Sequence, residues 1–252
     1  MEYYLKYHKN KNNYNKLKGK NKIEKLPKDI LKIFFDYMQF DEKIKYIEAN
    51  IFYNNTDKSV NIKNYYYYIN ELFFGEKLGI LTCEVFIKYN CFNLLKCARQ
   101  LEPPCSWSEL ATKYAIENGR LDILEWCIQN GCTLYPLASY NAAMYGHINI
   151  LEYIKKNDLT YNWNDVELCN HAAKNGKIST LIWLREQNPP CPWNEKTCVI
   201  AAINGQLETL KWLRKQEPPC PWNNWIYFEA QRYGHNDIVK WYKTQDAQCP
   251  KN

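Results

Sequence analysis

Ala201-Ala202-Ile203-Asn204-Gly205-Gln206-Leu207-Glu208-Thr209-Leu210-Lys211-Trp212-Leu213-Arg214 reads as the end of one helix, a stop, and a complete second helix. Gly205 is the stop, because a left-handed residue commonly follows a helix C-terminus and glycine adopts it without a Cβ penalty. Working backward, the first helix is predicted over Glu195 to Asn204. Ala201 and Ala202 near its end let a neighbouring helix approach closely at little conformational cost. Working forward, Leu207, Leu210 and Leu213 recur every third residue and form an apolar stripe. Trp212 widens that stripe, while Lys211 and Arg214 are expected to face outward. Pro218-Pro219, like Pro189-Pro190 one unit earlier, is expected to end the second helix, since proline cannot continue the hydrogen-bond ladder.

The pattern is periodic. Its glycine returns at Gly119, Gly146, Gly176, Gly205 and Gly234, at spacings of 27, 30, 29 and 29. The helix-two Trp returns at Trp126, Trp183, Trp212 and Trp241, with Tyr153 filling the gap. A loop Cys recurs at Cys105, Cys132, Cys191, Cys220 and Cys249, and a loop Trp at Trp107, Trp163, Trp193 and Trp222. Eight of the nine tryptophans thus occupy two repeat positions, which chance does not produce. One step back, Asn90 stands at the glycine position, and asparagine is the other residue that tolerates left-handed backbone. Six units result, from near Leu81 to near Cys249. A hairpin alone cannot bury both apolar faces, so neighbours must stack, and an all-α solenoid is predicted.

The strings Ala-Ala-x-x-Gly-His-x-x-x-Leu at Ala142–Leu151 and Ala-Ala-x-x-Gly-x-Leu-Glu-x-Leu-Lys at Ala201–Lys211 resemble ankyrin repeats. With Trp in the second helix and Pro-Pro-Cys-Pro-Trp-Asn in the loop, they resemble the ankyrin-like arrays of giant DNA viruses of amoebae. The resemblance spans residues 81–252 and implies a groove that holds a protein target. Two departures stand out. Lys196-Thr197-Cys198-Val199 replaces the usual Thr-Pro-Leu-His start, and the unit is about four residues shorter than the usual 33. The projecting β-finger is therefore expected to be reduced or lost. Tetratricopeptide units are longer, and the strand-forming leucine-rich pattern is absent.

Composition excludes other classes. No apolar run approaches the roughly 18–20 residues that span a bilayer, and Met1–Lys6 offers no apolar signal core. An intracellular protein is expected, in host cytoplasm or nucleus if the source is viral. The net charge of +6 resides in residues 1–25, with eight Lys against two Glu, and the other 227 residues balance at 25 each. A basic arm could touch nucleic acid or act as an address, but a solvated tail is favoured for this Lys- and Asn-rich lead-in, residues 1–24. Eleven cysteines without a Cys-x-x-Cys pair argue for reduced thiols and against zinc. Equivalent loop cysteines lie about 10 Å apart in a helix stack, so each reads as a small buried hydrophobe. The Trp stripe reads as packing between repeats rather than a ligand-stacking platform. His147 and His235 are read as hydrogen-bonding turn backbone. No phosphate loop, His-Glu-x-x-His or nucleophile elbow is present, so no enzyme, small-molecule substrate, cofactor or metal is expected.

Residues 25–54 differ from the repeats. Leu26-Pro27-Lys28-Asp29-Ile30-Leu31-Lys32-Ile33-Phe34-Phe35-Asp36-Tyr37-Met38 reads as an extended lead followed by an amphipathic helix, with Pro27 and Asp29 suited to a helix start. The string resembles the beginning of an F-box, although that family's later Val and Trp have no clear counterpart. The resemblance implies that Leu26, Pro27, Ile30, Phe34 and Tyr37 contact a Skp-family subunit of a cullin ubiquitin ligase. The alternative is a helical cap shielding the first repeat, as solenoid ends require. Residues 55–80, with Tyr65–Tyr68, are expected to form a linking helix.

Overall fold

The computed structural model describes residues 83–100, 104–157 and 163–245. The F-box-like segment, the lead-in and the linking helix lie outside them. The chain divides into two compact units, Met1–Ala111 and Thr112–Asn252. About 64% of the described residues are helical and none is in a strand, so the all-α expectation holds there. Circular dichroism of the full chain should show a helix-dominated spectrum, and a β-dominated one would contradict this architecture.

In the first unit, α1 (Cys83–Lys88) packs on α2 (Phe92–Arg99). Asn90 between them has φ 64°, the positive-φ conformation read from its repeat position. Buried Glu84 accepts both the Ser108 N–H and its hydroxyl, at 2.7 and 2.8 Å. This tie leads the chain into α3 (Glu109–Glu117), which crosses the boundary between the units.

The second unit continues with α4 (Leu121–Gln129), α5 (Ala138–Tyr145), α6 (Ile148–Lys156), α7 (Val166–Lys174) and α8 (Ile178–Arg185). It ends with α9 (Glu195–Ile203), α10 (Leu207–Arg214), α11 (Trp225–Arg232) and α12 (Asn236–Lys243). First helices pack in series, α5 on α7, α7 on α9 and α9 on α11, and each also packs on its own second helix. The alanine pairs explain the close series. Ala142, Ala143, Ala172, Ala173, Ala201 and Ala202 are all fully buried. Ile150, Leu151, Leu181, Leu184, Leu210 and Leu213 from the second helices are buried too, each contributing about 1.5–3 kcal/mol.

Helix ends follow local chemistry. Asn194 caps α9 by accepting the Lys196 N–H at 3.0 Å, and its own N–H donates to Thr197 Oγ1 at 3.3 Å, a capping box. At the other end Gln206 N–H donates to Ala201 O at 2.9 Å and Gly205 N–H to Ala202 O at 3.2 Å. That is the paired pattern expected of a left-handed stop. The prolines do not end the second helices: α8 and α10 finish at Arg185 and Arg214, ahead of Pro189 and Pro218. Side-chain amides satisfy the last carbonyls instead, Gln187 on Trp183 O at 2.6 Å and Gln216 on Trp212 O at 2.9 Å.

Candidate interaction surface

Between successive hairpins the repeat builds a ladder of rings. Arg185 lies over Trp193 at 4.2 Å, and Trp193 meets Trp212 at 6.0 Å and 78°. One hairpin later Arg214 lies over Trp222 at 4.4 Å, and Trp222 meets Trp241 at 5.9 Å. Each guanidinium also donates to the loop cysteine's carbonyl at 2.6 Å, Arg185 to Cys191 and Arg214 to Cys220. The first unit repeats the device with Arg99, Trp107 and Cys105. Arg214 is therefore half-buried and engaged, not outward-facing. Trp126, Trp183, Trp212 and Trp241 are likewise half-buried. Trp183, Trp212 and Trp241 each pack ring to ring against the loop tryptophan that precedes their own hairpin, Trp163, Trp193 and Trp222.

The turn glycines carry a second link. His147 Nε2 meets Glu117 O at 3.2 Å and His235 Nε2 meets Ile203 O at 2.9 Å, each reaching the preceding hairpin rather than its own turn. The imidazole of His235 lies where a Cβ on Gly205 would sit, with Cε1 only 2.8 Å away. Lys177 covers Gly146 in the same way and Gln206 covers Gly176. The Lys177 and Gln206 ends can move aside, whereas at Gly205 the ring of His235 fills the space, so glycine serves there for room as well as for φ.

Among the described residues, the three most exposed large apolar side chains lie on α11 and at its C-cap. Trp225 is 60%, Phe228 57% and Tyr233 53% exposed. Trp225 and Tyr233 line an open groove of about 590 Å³ between α9 and α11, walled by Val199 and Ile203 and flanked by Glu195, Lys196, Glu229 and Arg232. Its charges are partly tied. Lys196 Nζ meets Glu167 at 2.6 Å, Arg232 meets Glu229 at 3.8 Å, and Asn223 donates to Glu195 at 2.8 Å. The floor is aromatic and the rim is mixed in charge, a surface suited to a protein segment rather than to a phosphate or a single small ion. Trp225 is the one tryptophan outside the repeat register. Stepping 29 residues back meets Lys196, and that departure was its only mark in the sequence.

Leu26, Pro27, Ile30, Phe34 and Tyr37 lie outside the described residues. Among the described residues no cluster of three or more His, Cys, Asp or Glu could hold a metal, and no helix is long and apolar enough to cross a membrane. Compared with family models and with curated proteins, the chain matches none.

Proposed function

We propose that this protein is an ankyrin-type repeat adaptor that holds a protein target along the α9–α11 face and recruits it to a cullin-type ubiquitin ligase through its N-terminal F-box-like segment. The single observation carrying the target-binding half is the exposed Trp225–Tyr233 groove, walled by two helices on which Ala201, Ala202 and Ala230 are fully buried. Trp, Tyr and Arg are the residue types that dominate binding energy at interfaces, and all three are present at this groove. Support for the repeat assignment comes from the series packing of first helices and the glycine stops. The ubiquitin half rests on the resemblance of residues 26–38 alone.

Capture with the full chain from a cell lysate, read by mass spectrometry, tests both halves. Skp and cullin peptides are expected together with a target. A target without them leaves an interaction scaffold with a helical cap. The double variant Trp225→Ala, Tyr233→Ala should capture at least about tenfold less target, equivalent to the loss of one or more hot-spot contacts. Both side chains are more than half exposed, so its melting temperature should barely move. Unchanged capture would place the target elsewhere.

A further inference from the structure

In four hairpins a Cys or Thr stands seven residues before the turn residue, at Cys83, Thr112, Cys169 and Cys198, and the loop after the second helix carries a cysteine, at Cys105, Cys132, Cys191 and Cys220. In three hairpins both partners are cysteine: Cys83 with Cys105, Cys169 with Cys191, and Cys198 with Cys220. All six are buried and unlinked. The Cys169 and Cys191 sulfurs are 3.5 Å apart, with Cys169 S–H donating to Cys191 Sγ. Cys191 in turn donates its S–H to Asp165 O at 3.3 Å. We propose that Cys169 and Cys191 form a redox couple, closing under a peroxide-class oxidant to a disulfide that fastens α7 to the loop following α8.

Packing alone does not require the pair. In the α3 hairpin Thr112 occupies the helix position, and its hydroxyl donates to Thr133 O at 2.9 Å beside Cys132. A hydroxyl therefore serves the fold where no thiol pair exists. The second sulfur adds chemistry. Cys191 is the sulfur set to react first, because the donated S–H of Cys169 and the nearby Arg185 guanidinium hold its thiol below the usual range. Cys169 is pushed the other way by that contact and by burial. The Cys191 thiolate attacks the peroxide O–O bond, giving a sulfenic acid and hydroxide. The Cys169 sulfur then displaces hydroxide from the sulfenic sulfur. Two thiols and one hydrogen peroxide thus become one disulfide and two waters. The sulfurs must close from 3.5 Å to about 2.05 Å. The exposed Asn188-Pro189-Pro190 stretch next to Cys191 places the couple one residue from solvent, so local opening there admits the oxidant.

The test uses the full folded chain with equimolar hydrogen peroxide, alkylation of remaining thiols, and unreduced peptide mapping. The expected product joins the Cys169 and Cys191 peptides at two hydrogens below their summed mass. Dithiothreitol should reverse it, and the oxidised protein should melt several degrees higher because the link constrains the unfolded chain. Cys169→Thr, patterned on Thr112, should fold, lose the link and the shift, and leave Cys191 trappable by dimedone as sulfenic acid. Recovery of both wild-type residues as free thiols, linkage of Cys191 to any other cysteine, or an unchanged thermal shift in Cys169→Thr would each overturn the proposal.

Discussion

Gly205→Val is expected to lower the melting temperature by about 5–15 °C, because about 2–4 kcal/mol is lost and a domain of this size loses roughly 2–4 °C per kcal/mol. Two separate effects add. Gly205 has φ +70°, where a β-branched residue is an outlier costing about 1–3 kcal/mol. The new side chain also enters the space of the His235 ring and displaces its hydrogen bond to Ile203 O, worth about 0.5–1.5 kcal/mol. Gly131 separates the two, since it has φ +81° and nothing within 4 Å of its missing Cβ. Gly131→Ala should therefore show the strain alone and Gly205→Ala the strain plus the collision. A cycle with His235→Ala should recover the second part as a coupling energy of about 0.5–3 kcal/mol. Thermal melts of the five variants check this, and an unchanged midpoint for Gly205→Val would mean that the helix ends by another route.

This turn also marks how far the fold was legible. Glycine and Asn90 could be assigned left-handed conformations from position alone, because that preference is a property of one residue and its neighbours. The stop of α9 at Gly205 followed from the same kind of chemistry, whereas the capping box of Asn194 and Thr197 at its start emerged only in the structure. The histidines were harder. His147 and His235 were expected to bond within their turns, yet each reaches a carbonyl about 30 residues earlier, a pairing set by hairpin spacing. Arg214 shows the same limit. At the end of an amphipathic helix it reads as an outward charge, and only the folded loop puts the Cys220 carbonyl and the Trp222 ring within its reach.

The candidate surface was less legible than the scaffold, for a related reason. Period and stripe describe what hairpins share, whereas a binding face is made where they differ. Trp225 for Lys196 and Tyr233 for Asn204 are such differences, and sequence alone does not say that both side chains stay uncovered beside one groove. The N-terminal segment is the opposite case, a motif with its residues named and its role resting on likeness.

That role gives the second large effect. The double variant Leu26→Ala, Pro27→Ala is expected to weaken binding to a Skp-family subunit by at least about tenfold, since truncating interface anchors costs 1–2 kcal/mol or more. On the proposed adaptor reading, Leu26 and Pro27 would dock together with Ile30, Phe34 and Tyr37. Residues reserved for a partner are exposed in the free chain, so the adaptor reading expects a melting temperature close to the parent's. A cap expects the reverse. Its Leu26 would be buried against the repeats, and truncating it would cost about 2–5 kcal/mol, with a fall of many degrees and no Skp affinity to lose. Binding and melting measured on the same two proteins therefore separate the readings, because each moves one observable and spares the other. The parent chain decides first: if it shows no Skp-family binding at micromolar concentration, the adaptor role fails and the scaffold remains.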